Sequence, residues 1–368
     1  MGRAGPGDDR HPRVGGAGAH PAPYRRHPQH RHRGGGRHLR HARAAGISTQ
    51  HELIRGALVV GHIGQSDRTR VGTSRRDILV GLSTASVYPQ NTEAAFRYAA
   101  ELGYDGVELM VWAEPASQSI ATVQSYARRY DVPVLAVHAP CLLISQRVWG
   151  ADPIAKLERS VHTAEALGAD TVVVHPPFRW QRRYAEGFAD QVAELEEHHR
   201  VIVAVENMFP MRADTLFGRG EKAARRLARR GGPGWGLTAF SPSYDPTDTG
   251  FQHYTLDLSH TATAGADPLA LAARMGAGLA HLHLADGRGA AHDEHLIPGS
   301  GSQPCAEVCA HLVRSGFAGH AVAEINTQNA RSTTERAAML RRTLAFAREH
   351  LNGVAPAPSP ASVQANSQ

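Results

Sequence analysis

Apolar runs of strand length recur along the chain, and the segments between them switch to helical period. The runs span 78–87, 104–111, 132–138, 171–175, 201–207, 253–260, 279–286 and 320–326. They are near-continuous and rich in Val, Ile and Leu. That is the pattern of parallel strands buried on both faces, not of strands with one wet side. Helical patterns occupy 92–102, 117–130, 153–167, 184–199, 221–230, 268–275, 304–315 and 333–351. Several stop at a glycine, as at Leu102-Gly103 and Leu167-Gly168, the usual left-handed helix stop. Eight strand–helix units in roughly 275 residues predict an α/β chain folded as a single (β/α)8 TIM barrel. The rival is a doubly wound open sheet, which has no reason to aim residues from most of its strands at one point. The stretch 211–252 is long for a crossover. Its Gly-, Pro-, Ser- and Tyr-rich half, 231–250, predicts a loop over the barrel mouth.

Composition changes the picture mainly at the ends. The chain is 42% hydrophobic and 20% charged, an ordinary globular balance. Its net charge of +6 misleads, because residues 1–77 hold 15 Arg against 5 acids, or +10. The remaining residues hold 25 basic against 29 acidic groups, or −4. A basic body would point to nucleic acid; this body is mildly acidic. Residues 1–77 also carry 9 of the 23 His and little apolar periodicity, so they are expected to be disordered. They read as a solvated tail, as a translation start placed too far upstream, or as a metal-scavenging or nucleic-acid-binding arm. The Pro/Ala/Ser stretch 353–368 has no charged residue and is expected to be disordered too. No apolar run is long enough for a membrane span, and no signal-type apolar segment opens the chain. The three cysteines, Cys141, Cys305 and Cys309, form no CxxC pair, which predicts a reducing, cytoplasmic setting without disulfides. Cys305 and Cys309, four apart on a helical pattern, read as packing thiols.

The chemistry sits where the apolar runs end. The third run ends at His138, the fourth at His175, and the fifth at Glu206-Asn207. The sixth ends Asp257-Leu258-Ser259-His260, the seventh His281-Leu282-His283-Leu284-Ala285-Asp286, and the eighth at Glu324. A loop with Asp293-Glu294-His295 and Gly299-Ser300-Gly301 follows the seventh. In a barrel, functional groups gather at strand C-termini. Nine ionisable residues there are costly to bury unpartnered, and carboxylate plus imidazole is a donor set suited to Zn²⁺ or Mn²⁺. Any one of these His taken alone is as well explained as a hydrogen-bonded structural residue, and Glu206 or Glu324 as half of a salt bridge. Strand alternation points His281 and His283 the same way; His283, nearer the end, is the expected ligand. Glu108 and Trp112 end the second run and are expected at the pocket, with Glu108 open to a structural role. Arg179, Arg182 and Arg183 beside Trp180 form a basic patch that fits a sugar phosphate, nucleic acid or a solvated helix start.

The phrases Gly103-Tyr104-Asp105-Gly106-Val107-Glu108, Leu256-Asp257-Leu258-Ser259-His260, His283-Leu284-Ala285-Asp286 and Asp293-Glu294-His295 with Gly299-Ser300-Gly301 carry a resemblance. Across its body the sequence resembles the xylose-isomerase-like TIM barrel superfamily. That superfamily contains sugar and sugar-phosphate isomerases and epimerases, and the endonuclease IV type of abasic-site nuclease (AP endonuclease family 2). The resemblance to the isomerases and epimerases implies one divalent ion on Glu206, Asp257, His283 and Glu324. It implies Glu206 and Glu324 as the groups that move a proton between neighbouring substrate carbons. His260, Arg288, Trp112 and Arg179 are then substrate-binding candidates, and a sugar or sugar phosphate is the partner. The resemblance to the endonucleases implies instead up to three Zn²⁺ on His138, His175, Glu206, Asp257, His260, His283, Asp293, His295 and Glu324, with nucleic acid as the partner. Against a nuclease stand the acidic body, its two lysines (Lys156 and Lys222), and the Ala139-Pro140-Cys141 that follows His138 in place of an aromatic wedge. A third reading is a barrel that holds metal only for stability; the size of the set and its place at a barrel mouth oppose it. The expectation is a metal-dependent sugar isomerase or epimerase, with the zinc phosphodiesterase as the alternative.

Overall fold

Eight parallel strands close on themselves in sequence order. They are β1 (Val80–Ser83), β2 (Gly106–Met110), β3 (Val134–His138), β4 (Thr171–Val174), β5 (Ile202–Glu206), β6 (Tyr254–Asp257), β7 (Leu279–Leu284) and β8 (His320–Ala323). Pairing of Val80 with Ala321 and Leu82 with Ala323 joins the last strand to the first. The computed structural model describes residues 77–140, 148–210 and 239–354. Nearly all of the two expected tails, the 221–230 helix, Cys141 and residues 231–238 of the mouth loop lie outside the described residues.

Among the described residues the helices are α1 (Thr92–Leu102), α2 (Ile120–Tyr130), α3 (Pro153–Leu167), α4 (Arg182–His198), α5 (Leu258–Ala264), α6 (Pro268–Met275), α7 (Cys305–Ser315) and α8 (Thr333–Asn352). Local chemistry fixes their ends. Asp152 caps α3 through the Ile154 N–H with Pro153 in the first turn, and Gly168 leaves it at φ 74. Those are the proline-start and glycine-stop preferences at work. Asp267 caps α6 and Ser332 caps α8 in the same way. Strands and helices share one core, in which Leu82, Leu109, Val203, Leu256, Leu282 and Val172 are fully buried. Cys305 and Cys309 are free, buried thiols on α7. Among the described residues no helix is long and apolar enough to cross a membrane.

One boundary differs from the sequence expectation in a way that builds the site. The sixth run does not stay extended to His260. The strand stops at Asp257, whose side chain caps α5 by accepting the His260 N–H at 2.6 Å. An aspartate satisfying the first orphan N–H groups is the standard start signal of a helix, so His260 rides on a helical first turn. The first and eighth runs are also shorter as strands than as apolar stretches. β1 gives way to a 3-10 turn over Thr84–Val87, and β8 ends at Ala323.

Candidate metal centre

The nine expected ligands come together at the C-terminal end of the barrel in three overlapping groups. Glu206, Asp257, His283 and Glu324, from β5, β6, β7 and the end of β8, bring their ligand atoms within 4.8 Å of one another. His138 and His175 do the same with Glu206, and His260 and His295 with Asp257. Glu206 and Asp257 therefore each belong to two groups. Asp293 joins the third group through the His260 Nε2 at 3.1 Å and the His295 Nε2 at 2.5 Å.

His283 lies at the centre. Its Nδ1 is 2.8 Å from both Glu206 Oε1 and Glu324 Oε2, and 3.5 Å from Asp257 Oδ2. Its other nitrogen, Nε2, faces Glu108 Oε2 at 3.2 Å. A buried carboxylate behind a ligand imidazole fixes the ring and its tautomer. Glu108, named from the sequence only as a pocket or fold residue, thus serves the centre from below. His281 lies one layer deeper, its Nε2 3.0 Å from the same Glu108 oxygen.

Three further residues organise the site without having been singled out for that role. Asn207, next to Glu206, accepts the Asp257 N–H at 2.7 Å and donates to the Asp257 carbonyl at 3.1 Å. Its own carbonyl meets the His260 Nδ1 at 2.8 Å. Ser259 donates to Asp293 and accepts the His295 N–H at 2.9 Å. His295 is held at φ 45, a left-handed conformation rare for a side-chain-bearing residue, which persists where surroundings enforce it. Asp286 accepts backbone N–H groups from Gly287, Gly299, Gly301 and Gln303 at 2.8–2.9 Å. It folds the loop that carries Asp293 and His295. In sequence, an aspartate thirteen residues before a Gly-x-Gly was the available signal.

The loop has no room to spare. A Cβ on Gly301 would stand 2.3 Å from Asp286 Oδ1 and 2.6 Å from the Gly287 carbonyl. Gly301→Ala is expected to lower stability by about 1–3 kcal/mol, the usual cost of overpacking. Chemical denaturation measures it, and a neutral result would show that the loop yields.

The donor set fits a divalent ion. Among the described residues, Glu206 Oε2 and Asp257 Oδ2 are faced only by imidazole nitrogens, at 2.8 Å (His175) and 3.4 Å (His138) from the first and 3.5 Å (His283) from the second. Those contacts satisfy the buried carboxylates only while the rings are protonated, and a divalent cation held between neutral rings and carboxylates would satisfy the same oxygens. Mixed imidazole and carboxylate donors suit Zn²⁺ or Mn²⁺ over alkali ions.

Charge in the metal-free protein follows the same geometry. Burial alone would raise the Glu206 carboxyl, but the cations of His283, His175 and His260 hold it well below the usual range. Burial would lower His283 and His260; Glu324, Glu108 and Glu206 around the first, and Asp257, Asp293 and Glu206 around the second, push both well above the usual His value. His295 overcomes its burial through Asp293 and rises to about 10. The raised imidazoles stabilise the metal-free fold fully below their unfolded value near ~6.5, and that contribution fades as pH climbs towards their folded values. The lowered carboxylates contribute above their unfolded values near ~4 and lose it as pH falls through their depressed folded ones. Metal-free protein is therefore expected to be most stable between about pH 4.5 and 6.5. Metal affinity should run the other way and climb with pH, because ligand imidazoles must lose their protons. Thermal melts and metal titrations across pH test both slopes; parallel slopes would contradict the assignment.

Above the ligands lies a cavity of about 250 Å³ lined by His138, His175, Glu206, His260, Asp293, His295 and Glu324 on one side. Ala85, Met110, Val111, Trp112 and Ala113 form an apolar wall on the other. Trp112 meets Tyr88 edge-on at 5.4 Å. Two expected substrate binders are not on this lining. Arg288 is exposed and donates to the Ser300 carbonyl at 3.1 Å, and Arg179 is exposed with its Nε on the Phe240 carbonyl at 3.3 Å.

Comparison with known proteins agrees with this architecture. The family model described as xylose isomerase-like TIM barrel matches residues 96–239 and 251–350. An uncharacterized protein of Mycobacterium tuberculosis is 66% identical over 277 residues, spanning 75% of this chain and 99% of its own. A fructoselysine 3-epimerase of Shigella flexneri is 21% identical over 257 residues, 64% of this chain and 85% of that protein. Among solved structures, an IolI protein with a bound zinc atom superposes with a TM-score of 0.51 at 15% identity, over 74% of this chain and 99% of that one.

Proposed function

The chain belongs to the xylose isomerase-like TIM barrel family, and from that premise we propose that it is a divalent-metal-dependent isomerase or epimerase of a sugar or sugar phosphate. The observation that carries the reading is the tetrad Glu206, Asp257, His283 and Glu324 beneath a small cavity with an apolar wall. A cavity of about 250 Å³ accommodates one small polyol better than a duplex, and Trp112 offers an aromatic face to its carbon skeleton. The fructoselysine 3-epimerase relative supports the same substrate class.

A bound ion would supply Lewis-acid polarisation of a substrate carbonyl. Glu206 and Glu324 reach the cavity from β5 and from the end of β8. On this reading one carboxylate takes the proton from the carbon beside the carbonyl and a carboxylate returns it, as general acid–base catalysis requires. Glu206 and Glu324 are both held ionised at neutral pH by their imidazole neighbours, so either can accept the proton. His260, its Nδ1 tied to the Asn207 carbonyl, and Trp112 hold the substrate. Incubation with candidate ketoses and aldoses in heavy water should place deuterium at the carbon next to the carbonyl. Cleavage of an abasic-site oligonucleotide with no such exchange would overturn the reading.

A second reading is favoured by one observation: the ligands form three groups that share Glu206 and Asp257 as vertices. That arrangement suits a multinuclear zinc phosphodiesterase. His175→Ala and His295→Ala separate the two. In the one-ion isomerase both variants keep the tetrad's ion and change mainly KM. In the multinuclear enzyme each loses at least one ion per chain, by elemental analysis, and loses hydrolysis with it.

A further inference from the structure

Away from the barrel mouth, α3 and α4 bring together a second set of donors. His162 and Glu165 lie one turn apart on α3, and His199 follows the last turn of α4, where its N–H reaches the Leu195 carbonyl at 2.9 Å. Glu165 stands between the two imidazoles. Its Oε1 is 2.8 Å from the His199 Nδ1 and its Oε2 is 3.5 Å from the His162 Nδ1. The two rings meet edge to face with centroids 5.2 Å apart. One ligand atom from each residue lies within 4.8 Å of the others. A cavity of about 230 Å³ opens beside them, with Glu158 and His198 on its wall.

From this geometry we propose that His162, Glu165 and His199 form a separate outer-face site for a divalent transition ion of the Zn²⁺ class. Two atoms bound to one tetrahedral ion at ~2.0–2.1 Å stand about 3.3–3.4 Å apart. The two carboxylate–imidazole separations, 2.8 and 3.5 Å, bracket that spacing, so small side-chain rotations bring the ligands to it. Two imidazoles with one carboxylate select Zn²⁺, Ni²⁺ or Cu²⁺, while hard ions such as Mg²⁺ prefer all-oxygen sites. The fourth position faces the cavity, open to water. The bound ion would tie α3 to the end of α4 by ligands from both. The site shares no residue with the mouth cluster and does not depend on the activity assigned there.

The test uses the full chain, whose first 77 residues hold nine further His, so the readout must be local. Diethyl pyrocarbonate modification with peptide mapping reads each imidazole separately. Saturating Zn²⁺ should protect His162 and His199 at least tenfold, and Mg²⁺ should not protect them. Equilibrium dialysis at buffered free Zn²⁺ should show one ion fewer per chain in the His162→Ala/His199→Ala variant than in the parent, with Glu165→Gln weakened in the same direction. If the two histidines react at the same rate with and without Zn²⁺, or if the double variant binds as much Zn²⁺ as the parent, there is no site here.

Discussion

Glu206→Gln should abolish turnover and release metal together. Glu206 is 1% exposed and belongs to both the tetrad and the His138–His175 group. The amide keeps the shape and loses the charge, so the fold survives while the ligand set loses its shared anion. An ion that polarises a carbonyl contributes several kcal/mol of transition-state stabilisation, and each 1.36 kcal/mol is tenfold. The expected loss is therefore roughly 10³-fold or more in kcat/KM. The metal-free variant should also lose part of the upward shift of His283 and His260, since Glu206 is among the anions that raise both. Turnover, metal content and imidazole titration by NMR check the three parts. Retained activity with retained metal would remove Glu206 from the centre.

The second large effect is predicted below the centre. Glu108 is fully buried and stands against both His283 and His281. Burial would raise its carboxyl, yet the His283 charge and the hydrogen bonds from His281 and His283 pull it well below the usual range. Removing one partner from a buried charge network costs about 3–5 kcal/mol, so Glu108→Ala should lower the metal-free stability by that much in urea. Because Glu108 also fixes the His283 ring, metal affinity should fall about 10–100-fold. A stability loss with unchanged affinity would make Glu108 a packing residue only.

The barrel was legible because its strands are buried on both faces, which writes each as an unbroken apolar run such as 201–207. The site was legible for a related reason. A charged residue ending such a run, as Glu206 ends Ile202–Val205, has little purpose in a core and stands out against it. The expectation of His283 over His281 rests on strand alternation and depth; His283 stands with Glu206, Asp257 and Glu324, and both histidines stand against Glu108. What stayed hidden depended on side-chain hydrogen bonds between segments far apart in sequence. Leu258, Ser259 and His260 looked like strand residues because nothing local says that the Asp257 carboxylate will cap a helix there. Ser259, Asn207 and Asp286 look ordinary until the residues they hold are brought to them. Arg288, a substrate binder by resemblance, and Arg179, part of the basic patch, lie off the cavity lining, with their side chains on the carbonyls of Ser300 and Phe240. Composition does not reveal that placement.

The central claim is that the barrel mouth holds a metal ion on Glu206, Asp257, His283 and Glu324. It is tested most directly by the metal content of the full chain beside that of Asp257→Ala. Both proteins carry the same histidine-rich first residues, so those cancel in the difference. After loading with Zn²⁺ or Mn²⁺ and exhaustive dialysis, the parent should retain at least one ion per chain more than the variant, and should lose its activity when a chelator removes that ion. Equal metal content in the two proteins under every loading condition would contradict the account.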